Sequence, residues 1–162
     1  MDILLYLNST CNYFGNEKGE VLYKGFSRKQ LLNKEESKVF CQLKKLEYHF
    51  DGLIHVFPQT NLGEFIKAFR DFDGANINSK RADFLICSHN FWPIAVIEYH
   101  GGGHFQGDWE LRDRIKEEAC KKANIIYRSI YEAEINCLEV PMNFLKSVIP
   151  NAVSHYKKSG IF

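Results

Sequence analysis

Two neighbouring stretches decide the fold: Ala82-Asp-Phe-Leu-Ile-Cys-Ser88 and Pro93-Ile-Ala-Val-Ile-Glu98-Tyr-His100-Gly-Gly-Gly-His104. Both are short apolar runs bounded by turn residues, which marks them as strands at 82–88 and 93–100. The connection through Ser88-His-Asn-Phe-Trp-Pro93 is too short for a crossover, so the two strands are antiparallel neighbours. Each carries an acidic residue that an apolar strand does not want. A carboxylate there loses hydration and needs a cation or a dense set of donors. Glu98 and His100 are two residues apart and share one face of their strand. Asp83 and Glu98 on adjoining strands therefore form a corner suited to a hard cation such as Mg²⁺, or Mn²⁺. Taken singly they have simpler readings. Asp83 could start its strand paired with Lys80 or Arg81, and Glu98 could pair with Arg112.

The surrounding elements follow from local signals. A strand at 2–8 precedes an irregular stretch at 9–30. Asn33, with Glu36 three residues on, is a capping box that starts a helix running to about Tyr48. Residues 55–62 read as a strand, placed at an edge or bulge by Pro58. A short helix at 64–72 and a loop at 73–79 lead to the two acidic strands. Asp108 caps a helix reaching Asn124, followed by a strand at 125–130. A terminal helix at 138–149 has Pro141 near its first turn. This order predicts an α/β fold, a central mixed sheet flanked by helices.

Helical phase adds candidates. In the 108–124 helix, Leu111, Ile115, Ala119 and Ala123 form an apolar stripe, and Arg112 and Lys116 fall toward that side. Long cations can snorkel over a sheet edge, or they can face a phosphate and offset developing charge. In the first helix, Val39, Phe40, Leu43 and Leu46 mark the buried face. Glu36 points toward it as well as capping the helix. The Gly101-Gly102-Gly103 run can bring backbone N–H groups close to a phosphate. A zinc site using His100 and His104, with Cys87 and His89, is disfavoured because an i, i+4 pair needs a helix and Cys87 lies in a strand.

These residues in this order resemble the PD-(D/E)xK nuclease superfamily, the restriction-endonuclease-like fold. The resemblance is closest to the branch around the very-short-patch mismatch-repair endonuclease and its small relatives. The matching residues are Asp83-Phe84, Glu98-Tyr-His100-Gly101, His104 and Arg112-Asp113-Arg-Ile-Lys116. Leu31-Leu32-Asn33-Lys-Glu-Glu36 looks like the start of that branch's first helix. Ala123-Asn124-Ile125 stands where Ala-Gly-Ile is usual. The likeness covers about residues 31–130, leaving 1–30 and 131–162 as peripheral additions to one domain.

The resemblance implies a metal-dependent endonuclease that hydrolyses DNA. Asp83, Glu98 and the backbone carbonyl of Tyr99 would hold Mg²⁺ or Mn²⁺. His100 or His104 would act as base or orient water, and Lys116 and Arg112 would stabilise charge. Glu36 would touch the metal's water, and Gly101 and Gly102 the substrate. The superfamily's lysine, two residues after the acid, is His100 here, which makes Lys116 its substitute. The alternative is a nuclease-fold module that binds nucleic acid or a protein partner without turnover. A homodimer or a larger nucleic-acid-processing complex is compatible with either. Phe91, Trp92, Phe105 and Trp109 are candidates to stack on a splayed base or wedge a duplex, or are core and rim aromatics.

Composition sets the frame. The chain has 162 residues, 45% of them hydrophobic, which suits one folded domain. Its net charge of +1 gives no global attraction to a polyanion. Residues 21–50 hold seven Lys/Arg against three Glu, a local basic surplus. Five scattered cysteines without a C-x-x-C pair fit a reducing, cytoplasmic compartment, with Cys41, Cys87 and Cys120 expected in the core. No apolar run approaches the length of a membrane span.

Overall fold

The computed structural model describes residues 27–69, 77–101 and 109–158, with side chains to 154. The chain divides into two compact units, residues 1–30 and 31–162. In the first, residues 27–30 are described; they are irregular and exposed. The expected strand at 2–8 lies outside the described residues, as do Cys11 and the Asp108 cap.

In the second unit, helix α1 spans Lys34–His49 and begins as expected. Asn33 Oδ1 accepts the N–H groups of Glu35 and Glu36 at 3.0 and 2.8 Å, and Glu36 Oε2 accepts the Asn33 N–H at 2.8 Å. These bonds satisfy donors that the first helical turn would otherwise leave open. Asn33→Ala should therefore cost about 1 kcal/mol in a urea melt. An unchanged midpoint would show that the cap carries no weight. Val39, Leu43 and Leu46 recur at helical spacing and are fully buried or nearly so.

Among the described residues four strands form one sheet: β1 (Ile54–Asn61), β2 (Arg81–Ser88), β3 (Pro93–His100) and β4 (Ile126–Tyr131), in the order β1-β2-β3-β4. The first two pairings are antiparallel and β3 pairs with β4 in parallel, so the sheet is mixed. Helix α2 (Trp109–Lys122) makes the crossover from β3 to β4. Pro58 sits on the edge strand, where no ladder donor is required of it. Asn124 turns the chain from α2 into β4 at φ +57°, the left-handed region that asparagine tolerates better than most residues.

The sheet separates two apolar layers. Helix α1 and helix α3 (Glu139–Lys158) pack against Phe84, Ile86, Ile97 and Tyr99. On the other face, Leu62, Ile66 and Ile77 gather with Leu85, Cys87, Val96 and Cys120 of β2, β3 and α2.

Three sequence expectations are corrected. The helix at 64–72 is instead a 3-10 turn at Leu62–Glu64 followed by irregular chain to residue 69, with 70–72 outside the described residues. Leu62 N–H donates to the Lys80 carbonyl at 2.9 Å, tying the turn to the start of β2. Gly63 also packs so closely on Asn78 that a Cβ would meet Asn78 Oδ1 at 2.3 Å. The terminal helix does not stop at 149, nor is it peripheral. It runs through Pro150 because Met142, Leu145, Ile149 and Val153 continue its buried stripe, while Pro150 faces outward. Cys41 is exposed rather than in the core; Cys87 and Cys120 are buried free thiols.

Candidate functional site

Antiparallel pairing sets Phe84 opposite Ile97 and Leu85 opposite Val96. One step further along that register, Asp83 lies across from Glu98. Alternation turns Asp83, Glu98 and His100 to the α2 face of the sheet, while Tyr99 packs into the opposite core. Helix α2 contributes the other wall. Its most buried line is Lys116 and Cys120, with Asp113 one turn before Lys116. The expected apolar stripe is only partly used: Leu111 is 58% exposed and Ala123 is exposed, while Ile115 and Ala119 pack against the core.

The result is a cavity of about 190 Å³, with Asp83, Glu98, Tyr99, His100, Arg112, Asp113 and Lys116 among its lining. Lys80 and Arg81 line it as well. The space is smaller than pockets for drug-sized molecules, and suits ions and a phosphate.

The polar contacts are specific. Glu98 is 2% exposed, and its Oε2 accepts from Lys116 Nζ at 2.5 Å. Its other oxygen, Oε1, is buried with no hydrogen-bond partner among the described residues. Lys116, itself buried, also reaches Asp113 Oδ1 at 3.0 Å. Asp83 Oδ2 accepts the Tyr99 N–H at 2.9 Å, and Oδ1 lies 3.5 Å from Gln59 Nε2. His100 Nε2 lies 3.1 Å from Ser129 Oγ, and Nδ1 lies 3.4 Å from Asp113 Oδ2. The imidazole stacks on the Tyr131 ring at 5.2 Å.

Electrostatics follow from burial. Desolvation, together with the Asp83 carboxylate, pushes Glu98 up to about 8, and Lys116 opposes this without cancelling it. Burial works against the Lys116 charge, but Glu98 and Asp113 outweigh it and hold the ammonium above the ordinary lysine range. Asp83, Glu98 and Asp113 thus crowd around one buried ammonium, and Glu98 answers the crowding by holding its proton.

This has a consequence for stability. Folded Glu98 keeps its proton up to about 8, while the unfolded chain releases it near 4.5. The folded state therefore binds more protons across that window, and stability falls as pH rises through it. Glu98→Gln should flatten this part of a metal-free stability–pH curve. An identical slope in the variant would refute the assignment.

Among the described residues no three His, Cys, Asp or Glu side chains form a ready-made metal cage. The donors present still fit a hard divalent cation. Mg²⁺ typically takes one or two carboxylates and completes its shell with water and substrate phosphate, at about 2.0–2.1 Å. Glu98 Oε1 is an unpartnered buried oxygen beside the Asp83 carboxylate, whose charge raises the Glu98 proton affinity and would favour a cation there in its place.

Of the expected site residues, Asp83, Glu98, Tyr99, His100, Arg112 and Lys116 line this one cavity. Glu36 does not; its carboxylate closes the α1 capping box. Gly101 packs on the Tyr99 ring, where a Cβ would meet Cε1 at 3.1 Å, and is not part of the lining. Gly102, His104, Phe105 and the Trp109 side chain lie outside the described residues. Phe91 and Trp92 sit at the β2–β3 turn, five residues or more along the strands from the cavity, roughly 16 Å by strand rise. There Phe91 stacks on His55 at 5.3 Å. In the sequence Asp113 stands only within the helix motif, with its i, i+3 spacing to Lys116 as the local signal, and no local pattern marks Gln59 or Ser129.

Comparison with known proteins places the chain among relatives without described activity. It is similar to an uncharacterised protein of Haemophilus influenzae, 40% identical over 107 residues that make up 66% of this chain and 56% of that protein. It is also similar to the uncharacterised protein y4bI of Sinorhizobium fredii, 35% identical over 106 residues, 65% of this chain and 76% of that one. The chain thus spans little more than half the length of the first of these relatives. No solved structure matches it. The family model described as "Protein of unknown function (DUF2726)" matches residues 28–139, and the chain belongs to that family.

Proposed function

We propose that this chain is a metal-dependent endonuclease that hydrolyses phosphodiester bonds in DNA, with a restriction-endonuclease-like fold. The observation that carries the reading is the convergence of Asp83, Glu98 and Lys116 from two strands and a helix on one small cavity. Asp83 and Glu98 would hold Mg²⁺ or Mn²⁺, with the Tyr99 carbonyl as a further ligand. The cation, when bound, supplies an activated water and polarises the phosphoryl oxygens.

The chain's own groups do the rest. Lys116 holds its proton beside the carboxylates and offsets charge that grows on the phosphate. Arg112, Lys80 and Arg81 line the cavity and suit the flanking backbone phosphates. His100 lies against Ser129 and Asp113, which fits it for orienting neighbours rather than for carrying a proton away. The same placement favours the second reading, a nuclease-fold module that binds without cutting. A reducing, cytoplasmic setting belongs to the proposal through the buried free thiols of Cys87 and Cys120. No described helix is long and apolar enough to cross a membrane.

The test is incubation with supercoiled, linear and single-stranded DNA in Mg²⁺, Mn²⁺ or chelator. Metal-dependent cleavage that chelator abolishes supports the enzyme. Absence of cleavage on every substrate, with no metal binding by calorimetry, would overturn it in favour of the binding module.

A further inference from the structure

We infer that Asp113 is a positioning residue that ties His100 to Lys116 and so explains why a histidine stands where a lysine is expected. The inference rests on the nuclease reading for its catalytic meaning, but its geometry is independent of it. Asp113 Oδ1 meets Lys116 Nζ at 3.0 Å and Oδ2 faces His100 Nδ1 at 3.4 Å. One carboxylate thus bridges a residue of β3 and a residue of its own helix.

The bridge fixes a long side chain. A lysine carries several rotatable bonds, and ordering it costs rotamer freedom that a fixed contact must offset. Glu98 alone gives Lys116 one contact on one side. Asp113, a turn earlier on α2, gives it a second, and the His100 imidazole faces Asp113 Oδ2 at 3.4 Å, an ion pair whenever the imidazole is protonated. His100 is in turn braced by Ser129 and the Tyr131 ring on β4. A lysine at position 100 would extend its ammonium from the strand itself. With histidine there, the ammonium comes from the helix, and a side chain at position 100 serves as the strut that aims it. His100 and Asp113 thus act through Lys116, whose ammonium sits 2.5 Å from Glu98.

Asp113→Asn is nearly isosteric and tests this without emptying the site. In metal-dependent cleavage it should lower kcat by up to roughly 100-fold, the scale expected when a reacting group is misplaced by about an ångström, with KM for DNA within about twofold. In a Lys116→Met background the same change should add less than about twofold, because the two residues act as one unit. His100→Gln should fall in the same pattern with a smaller drop. A ¹⁵N-lysine side-chain spectrum at fixed pH gives a readout without turnover: the protected Lys116 ammonium signal should shift or broaden in Asp113→Asn. Wild-type kcat in Asp113→Asn, or an equal further loss in the Lys116→Met background, would overturn the inference. So would an unmoved Lys116 signal. If the wild-type protein cleaves nothing but the Lys116 signal depends on Asp113, the strut stands and it is the nuclease reading that has failed.

Discussion

Glu98→Gln is expected to abolish metal-dependent cleavage while leaving the chain folded. Gln keeps the shape and can still accept from Lys116, but it removes the charge that a divalent cation needs. Losing one of two carboxylate ligands forfeits several kcal/mol of transition-state stabilisation, which at 1.36 kcal/mol per tenfold means a rate loss of roughly 10³ or more. Asp83→Asn should act alike. The fold should not suffer in parallel. Ionised Glu98 is disfavoured by burial and by Asp83, so a neutral amide relieves the metal-free protein above pH 8. The expected signature is therefore opposite movement: cleavage lost, and metal-free thermal stability at alkaline pH held or raised. A variant retaining a tenth of wild-type rate would remove Glu98 from the metal site.

The second large effect belongs to Lys116→Met. Removing the ammonium leaves Glu98 and Asp113 facing Asp83 with no buried counter-charge. Breaking a buried ion pair by deleting one partner costs about 3–5 kcal/mol because the survivor stays desolvated and unpaired. The cost should depend on pH. At pH 5.5 folded Glu98 holds a proton and needs its partner less; above 8 it is ionised and needs it more. Denaturant melts should show a larger deficit relative to wild type at pH 9 than at pH 5.5. Cleavage by the variant should fall roughly 10²-fold through lost charge stabilisation. An equal stability deficit at both pH values would mean that the Lys116–Glu98 pair is not what the ammonium supports.

The sequence carried the frame of this site and part of its content. Two acidic residues in apolar strands, a short turn between those strands and the period-two alternation were enough to put Glu98 and His100 on one face and Asp83 on the neighbouring strand. Helical phase brought Lys116 to the same place. What stayed hidden depended on distance between elements. The Asp113–His100 contact needs the rotation of α2 over β3, which no local pattern encodes. Gln59 reaches Asp83 from an edge strand at φ +56°, a backbone state its identity does not announce. For Glu36 the capping reading holds, its carboxylate accepting the Asn33 N–H, while its expected place beside the metal's water does not, since it is not among the cavity's lining. Pro150 misled because a lost backbone bond on an exposed face is offset by Ile149 and Val153 in the core.

The most direct test is a crystal soaked in Mn²⁺, examined by anomalous scattering. One strong peak is expected within coordination distance of an Asp83 oxygen and of Glu98 Oε1, with Lys116 still beside the carboxylates. A peak bound elsewhere, or none at this corner at millimolar Mn²⁺, would contradict it.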